Sequence, residues 1–186
     1  MGETNNSHFD YSFKTAVPVD IVYKTVRDDV YKLAAYLPNI VSIKPVERKT
    51  VGDKTYIINS YQGKHIFPDF IGNVVKLPDM SWLDRDEWLD NERVCNWRYE
   101  PFIFKEYIQI TGMDRFTADG TYTTLRVSGE IHVNFLNYPL IPVKLKDKIN
   151  DEITGIINRH IFSNFSALIK AIEQYAADNV LSVAQR

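Results

Sequence analysis

Three acidic residues, Asp84, Asp86 and Glu106, occur in segments where polar side chains alternate with aromatic and aliphatic ones. On the apolar face of such a segment, a carboxyl group must be paired, hydrogen-bonded or protonated. A carboxyl group kept neutral in an apolar pocket can act as a general acid or anchor a ligand by a hydrogen bond. Asp84 and Glu106 are therefore the candidate catalytic residues. The alternatives are that Asp84 and Asp86 lie near a rim or solvent, and that Glu106 forms an ion pair at a strand end.

Two further polar residues interrupt the apolar stripe of a predicted C-terminal helix. From Asp147 to Ala177, apolar residues recur at three- and four-residue steps, which places them on one face of an α-helix. Asn164 falls close to the middle of that face, and His160 lies at its edge. We interpret Asn164 either as a ligand contact or as a core amide bonded to a backbone carbonyl. His160 is either a ligand contact or a satisfied histidine at the core boundary.

The segments before this helix predict a mostly antiparallel sheet. A first strand covers Phe9 to Val17, and helical spacing over Ile21 to Tyr36 predicts two short helices with a break near Asp28-Asp29. Alternation and turn residues predict further strands at Val41–Thr50, Lys54–Gln62, Phe70–Leu77, Trp82–Leu89, Val94–Glu100, Lys105–Phe116 and Thr121–Asn134. A long helix laid on a curved sheet of this kind can enclose a hollow.

Hairpin register predicts which side chains face that hollow, because a slip of one residue reverses every side chain. Placing Ala118 opposite Thr121 around the Asp119-Gly120 turn makes Val133 face Glu106, so Glu106 is predicted to point inward. A tight turn at Asn91-Glu92 pairs the 84, 86 and 88 positions with 99, 97 and 95. Together with helix phase, these registers predict the ligand-binding residues to be Trp82, Asp84, Trp88, Trp97, Tyr99, Glu106, Ile108, Ile110, Val127, Ile131, Ile157, His160, Ile161, Asn164 and Leu168.

Composition limits the class of protein. The chain of 186 residues is large enough to bury a substantial core as one domain, and aromatic residues make up 13% of it. Its net charge of −2 favours neither nucleic acid nor an anionic membrane as a partner. A single cysteine cannot form an internal disulfide, and the four histidines show no metal-ligand spacing. We predict no metal site and no cofactor.

The sequence contains no repeat or long linker, so we predict one domain at 9–178, with a flexible N-terminus at 1–8 and a tail at 179–186. No apolar run is long enough for a bilayer, so stable membrane insertion is not expected. We expect a cytoplasmic protein that is a monomer or a weak homodimer.

The predicted order of one strand, two short helices, about seven antiparallel strands and a long C-terminal helix resembles the helix-grip fold of the START-like (SRPBCC) superfamily. This α+β superfamily includes the birch pollen allergen, lipid-transfer domains and polyketide cyclases or aromatases, and the resemblance spans about Phe9 to Tyr175. The segments that carry it are Val17-Pro18-Val19-Asp20, Tyr36-Leu37-Pro38-Asn39-Ile40, Trp82-Leu83-Asp84, Cys95-Asn96-Trp97-Arg98-Tyr99-Glu100 and Ser163-Asn164-Phe165.

This resemblance implies a protein that binds an apolar or amphipathic small molecule or lipid between the sheet and the long helix. It transfers no catalytic residues, because the superfamily shares no catalytic set. An alternative function is a metal-independent cyclase, dehydratase or isomerase that uses pocket carboxyl groups for acid–base chemistry. A second alternative is a protein-interaction module whose hollow is filled by its own side chains.

Overall fold

The computed structural model describes residues 5–64, 80–139 and 141–184. Its strands are β1 (Asn5–Thr15), β2 (Ile40–Val51), β3 (Lys54–Gly63), β4 (Ser81–Leu89), β5 (Val94–Pro101), β6 (Ile108–Asp119) and β7 (Tyr122–Val133). Its helices are α1 (Val19–Asp29), two 3₁₀ segments (Val30–Tyr36 and Val143–Leu145) and the long C-terminal α2 (Lys146–Ala184).

The seven strands of the described residues form one antiparallel sheet in the order β1-β7-β6-β5-β4-β3-β2. Apart from the β1–β7 pair, neighbours in this sheet are consecutive among the described strands. The sheet curves around α2, whose apolar stripe from Ile149 to Ile172 is buried against it. The helix packs closest to β1, β7 and the first 3₁₀ segment. This is the α+β helix-grip architecture that the sequence predicts.

The predicted break between two short helices is confirmed near Asp28-Asp29, where α1 ends at Asp29 and a 3₁₀ segment follows. The predicted strand Phe70–Leu77 lies outside the described residues. The predicted C-terminal helix is confirmed, and it extends seven residues beyond the predicted end at Ala177.

The predicted register of the β6–β7 hairpin is wrong by two residues. Asp119 pairs with Tyr122, so the loop is Gly120-Thr121, with Gly120 at a φ of 61° that suits glycine. A shift of two leaves the inward face unchanged. However, the pairing now ends at Ile108 opposite Val133.

The prediction that Glu106 points inward is therefore wrong. The strand β7 ends at Val133, so no β7 residue remains to pair with Glu106. Glu106 lies in the turn before β6, and its side chain is exposed. It faces solvent, and it does not line the hollow.

Two glycines set the surface of the sheet beneath α2. Gly112 and Gly129 are cross-strand neighbours on β6 and β7, in a row that continues to Trp97 and Phe9. A Cβ atom at Gly112 would overlap the Trp97 indole, and one at Gly129 would overlap the Thr111 carbonyl oxygen. The Phe9 and Trp97 rings stack with centroids 6.2 Å apart. The glycines thus allow two aromatic rings to lie flat on the sheet.

Candidate ligand-binding site

A hollow between the sheet and α2 consists of two adjoining compartments that share Trp82, Tyr99 and Asn164 as walls. The outer compartment has a volume of about 80 Å³ and the inner one about 70 Å³, counted as space open to the centre of a water molecule. A single water needs only roughly 10–15 Å³ on this measure, so each compartment holds several waters or part of a small ligand.

The outer compartment is largely apolar. Its walls are Asn39, Gly63, Lys64, Met80, Ser81, Trp82, Tyr99, Pro101, Ile103, Phe104, Ile108, Ile110, Ile157, His160, Ile161 and Asn164. Lys64 is an exposed residue. Burial and the nearby Arg159 lower the pKa of His160, so its imidazole is neutral at neutral pH. This compartment therefore offers apolar contact area with few polar groups.

The inner compartment is acidic and aromatic. Its walls are Val26, Val30, Leu37, Ile40, Tyr61, Trp82, Asp84, Asp86, Trp88, Cys95, Trp97, Tyr99, Asp114, Asn164, Phe165 and Leu168. The acidic walls come from the sheet, and the walls from α1, the first 3₁₀ segment, β2 and α2 are apolar except for Asn164. Strand alternation explains why three carboxyl residues meet here, because paired residues of adjacent strands point to the same face.

The register of β4 with β5 brings these side chains together as the sequence predicts. Asp84 pairs with Tyr99, and Asp86 pairs with Trp97. One row further along the sheet, Cys95 pairs with Asp114 of β6. The three carboxyl groups therefore occupy adjacent rows of one sheet face.

The three carboxyl residues differ in their hydrogen bonds. The Trp97 indole nitrogen Nε1 donates to Asp114 Oδ1 at 2.7 Å, and both residues are buried. Asp84 is only 8% exposed, and its Oδ1 has no hydrogen-bond partner among the described residues. The indole nitrogens of Trp82 and Trp88 are likewise buried without an acceptor in this part of the chain. Because buried polar atoms are normally satisfied, these atoms indicate a place for a polar group of a bound molecule.

Burial raises the pKa of all three carboxyl groups. For Asp84 the pKa rises well above its usual range, first through desolvation and then through the neighbouring Asp86 carboxyl. Desolvation raises the pKa of Asp86 to about 6, and the nearby Asp84, Trp88 and Cys95 side chains oppose that rise. Desolvation also raises the pKa of Asp114, and the Trp97 N–H opposes that rise. The two neighbouring carboxyl groups therefore titrate as a pair, which keeps one negative charge at neutral pH.

The half-buried phenols and the buried thiol of this compartment are neutral for the same reason. Desolvation, reinforced by the aspartates, raises the pKa values of Tyr61, Tyr99 and Cys95 well above their usual ranges. Cys95 is only 1% exposed. It is therefore protonated and shielded from solvent.

Asn164 lies at the junction of the two compartments, where helix phase places it. Its Oδ1 accepts a weak hydrogen bond of 3.3 Å from Asn39 Nδ2, which also approaches Ser163. The sequence suggested a backbone partner as one alternative, whereas the structure shows a side-chain partner. His160 lies one helical turn earlier, on the outer compartment.

The structure brings most of the predicted ligand-binding residues to the hollow. The predicted residues on its walls are Trp82, Asp84, Trp88, Trp97, Tyr99, Ile108, Ile110, Ile157, His160, Ile161, Asn164 and Leu168. Val127 and Ile131 do not line it, because both are fully buried in the packed part of the core beside β1. Glu106, which is exposed, is the third predicted residue that does not line the hollow.

Sequence reasoning missed Asp114, Tyr61 and Asn39 as walls of the hollow. Strand alternation could have found Asp114, since it shares the inward parity of Ile108 and Ile110 on β6. The same parity argument applied to β3 would have found Tyr61, opposite Trp82. Asn39 lies between elements, so no periodicity points to it.

Two other features of the described residues bear on the type of site. No group of three or more histidine, cysteine, aspartate or glutamate side chains is placed to hold a metal ion. Within the same ranges, no helix combines the length and apolar character required to cross a membrane.

The curved seven-stranded sheet on a long C-terminal helix is the helix-grip fold that the sequence resemblance implied. The chain is similar to the crystal structure of ZhuI aromatase/cyclase from Streptomyces sp. R1128, with a TM-score of 0.69 and 16% identity over 92% of this chain and 96% of that one. The protein TTHA0849 from Thermus thermophilus matches with a TM-score of 0.66 and 15% identity, covering 91% of this chain and 99% of that one.

The crystal structure of Ara h 8.0201 also matches, with a TM-score of 0.61 and 16% identity over 94% of this chain and 99% of that one. No protein-family model matches the sequence, and no curated protein matches it. At these identities the structural likeness establishes the fold and leaves the function to be argued from the site.

Proposed function

We propose that this protein binds a small apolar or amphipathic molecule between its sheet and α2, and so carries or sequesters it. The observation that supports this most directly is the unsatisfied Oδ1 atom of Asp84 in the inner compartment, next to a largely apolar outer compartment. Ligand sites typically combine apolar walls with a few convergent polar groups in this way. The apolar body of the ligand would fill the outer compartment, and its polar end would reach the inner one.

The size of the hollow favours a small ligand. The two compartments together approach the volume of an engineered protein cavity of about 150 Å³ that binds benzene. Burial of apolar surface contributes roughly 25 cal/mol per Å². Burial of a single aromatic ring would therefore supply most of the free energy of binding. A hollow of this size does not support the alternative of an interaction module filled by its own side chains.

Binding can be tested with naphthol, a neutral fluorescent aromatic alcohol, by calorimetric titration and by native mass spectrometry. We expect one molecule per chain. Ile157→Trp, which would fill the outer compartment, should weaken binding at least about tenfold, as expected when apolar contact area is replaced by protein.

The matched control is Val143→Trp, which adds the same side chain at a position that is 80% exposed. Naphthol should bind this variant as it binds the unmodified protein. Saturation by several molecules per chain, or equal binding by both tryptophan variants, would contradict a site in the hollow.

A second candidate function is acid–base catalysis, which the paired carboxyl groups of Asp84 and Asp86 favour. Two coupled acids with different pKa values can divide the roles of general acid and general base. In the dehydration of a β-hydroxyketone, Asp86 would take the α-proton and Asp84 would protonate the departing hydroxyl group. The products are an enone and water, and the two carboxyl groups exchange their proton to restore the starting state.

This function can be tested by following the enone absorbance that appears when an aromatic β-hydroxyketone is added. Asp84→Asn should lower the rate by roughly 100-fold or more if Asp84 is the general acid. Glu106→Gln removes an exposed acid away from the hollow and should leave the rate unchanged. Equal rates for Asp84→Asn and the unmodified protein would exclude this role for Asp84.

A further inference from the structure

The inner compartment is lined by acidic side chains and by no described basic side chain that could neutralise them. Asp84, Asp86 and Asp114 line it, and its described walls include no lysine, arginine or histidine. None of the three forms an ion pair with any described residue within 4.0 Å. Lys64, the one described lysine on the hollow, belongs to the outer compartment and is exposed. At neutral pH the Asp84–Asp86 pair keeps one negative charge, and no described cation lies within ion-pair distance to offset it.

One carboxyl oxygen is free to receive a ligand. Asp114 Oδ1 is engaged by the Trp97 indole, whereas Asp84 Oδ1 has no donor among the described residues and belongs to a side chain that is more than nine-tenths buried. Asp84 lies beside Asp86 on the same strand face, so a donor that reaches Asp84 also approaches the second carboxyl group.

The aromatic walls beside these aspartates also favour a positive charge. Tyr61 and Trp82 stack at 5.2 Å between ring centroids, Trp82 and Tyr99 lie 6.0 Å apart, and Tyr99 and Trp97 stack at 4.5 Å. The faces of such rings attract cations, more strongly when the site is shielded from water. A metal ion does not suit the site, since no three potential ligands in the described ranges are placed to coordinate one.

We infer, on the basis of the binding function proposed above, that the inner compartment selects an organic ammonium group carried on an apolar body. The ammonium group would donate a hydrogen bond to Asp84 Oδ1 and lie beside Asp86 against the faces of Trp82 and Tyr99. A carboxylate of the same shape would meet like charge with no cation to offset it. The ligand class is therefore a small arylalkylamine, and aromatic and fatty acids are rejected.

Four ligands of matched shape test this inference by calorimetric titration of the full chain at neutral pH. They are phenethylamine, phenethyl alcohol, propylbenzene and phenylpropionate, which differ mainly in the terminal group. We expect phenethylamine to bind at least about tenfold more tightly than the alcohol, as for a hydrogen bond to a charged group compared with a neutral one. Phenylpropionate should bind most weakly.

The outcomes separate the two proposals. If the alcohol or propylbenzene binds as tightly as the amine, the ammonium preference is wrong while the binding function stands. Tighter binding of phenylpropionate than of the amine likewise overturns the preference alone. If none of the four ligands binds, the proposed binding function and the inference both fail.

A pair of acid-to-amide variants locates the preference. Asp86→Asn removes the negative charge that the pair keeps at neutral pH, so it should remove the advantage of the amine over the alcohol while the protein still binds both. Glu106→Gln carries the same chemical change on an exposed residue outside the hollow and should keep the full preference. Loss of the preference in Glu106→Gln, or its retention in Asp86→Asn, would overturn the assignment to the Asp84–Asp86 pair. The titration of the unmodified protein does not depend on either variant folding.

Discussion

At the scale of single residues, the inner compartment shows how hydrogen bonding distinguishes chemically identical side chains. Asp114 and Asp84 are both buried aspartates with raised pKa values. Asp114 is part of the structure, because the Trp97 N–H occupies its Oδ1. Asp84 has an acceptor oxygen without a partner in the described residues, so it is the one available to a ligand.

Two substitutions of Asp114 should distinguish the contribution of its hydrogen bond to stability from the contribution of its ionisable group. Asp114→Ala leaves the buried Trp97 N–H without an acceptor and should lower the free energy of unfolding by about 1–3 kcal/mol. Asp114→Asn keeps an acceptor oxygen and removes the ionisable group, so its stability should lie close to that of the unmodified protein. Urea unfolding monitored by circular dichroism measures both, and equal losses for the two variants would contradict this role for the hydrogen bond.

The raised pKa of Asp86 predicts how stability depends on pH. Its pKa is 3.8 as an unperturbed group and about 6 in the folded protein. Between these values the folded state binds more protons than the unfolded state, so stability falls as pH rises. The contribution of Asp86 is fully present below about pH 4 and is lost as the pH rises through about 6, a change of roughly 2–3 kcal/mol.

Asp86→Asn should remove this contribution, so its unfolding free energy should depend less steeply on pH over the same interval than that of the unmodified protein. Comparing the two proteins cancels the titration of surface groups. Parallel pH profiles would show that Asp86 is not protonated on folding. The titratable groups that share the inner compartment with Asp86 are Tyr61 on β3, Asp84 on β4, Cys95 and Tyr99 on β5, and Asp114 on β6.

At the scale of elements, glycines on β6 and β7 leave room for two aromatic rings to lie on the sheet, and one of them, Trp97, is a wall of the inner compartment. Trp97 lies over Gly112, and Phe9 lies over Gly129. The ring positions in turn bring the Trp97 indole nitrogen to Asp114. The two glycines are therefore a condition for the polar geometry of the inner compartment.

Two glycine-to-alanine substitutions should have opposite effects. Gly112→Ala places a methyl group inside the Trp97 indole and should destabilise the protein by about 1–3 kcal/mol through overpacking. Gly155→Ala, within α2, meets only the guanidinium group of Arg159 at 3.4 Å and should stabilise the protein by about 1 kcal/mol. Thermal unfolding measures both changes. A stabilised Gly112→Ala variant would mean that Trp97 can move without cost.

The elements were more predictable from the sequence than the contacts between them. Strand alternation and helix phase predict the sheet and α2 because burial of one face imposes a period on the residues. Pairing of Asp86 with Trp97 was predicted for the same reason. The β6–β7 register was predicted two residues out, since two neighbouring loop positions satisfy the same alternation and Gly120 belongs to both loops.

The site was predicted less completely than the fold. Glu106 was assigned to the hollow only because the predicted β6 strand began three residues too early. Asn39 approaches Asn164 across 125 positions of sequence, and such a contact has no local signature. The unsatisfied oxygen of Asp84 depends on the position of every neighbouring donor, which the sequence alone does not define.

At the scale of the whole molecule, the hollow is a part of the interior that the chain leaves unfilled. The core is closely packed where β1 and β7 meet α2, with Leu125, Val127 and Ile131 fully buried. Toward β4 and β5 the same helix covers space that its own side chains do not occupy. A ligand that fills this space stabilises the folded state by mass action, by about 2.7 kcal/mol at one hundred times its dissociation constant.

The position of the protein's single cysteine provides a natural reporter of access to this space. Cys95 lies on the inner compartment, buried and protonated, so a thiol reagent can modify it only when the interior is transiently exposed. Modification by a chromogenic disulfide should therefore be much slower in the native protein than in urea, and an occupant of the hollow should slow it further. If a saturating amine leaves the modification rate unchanged, the route by which the interior becomes accessible does not pass through the ligand's position.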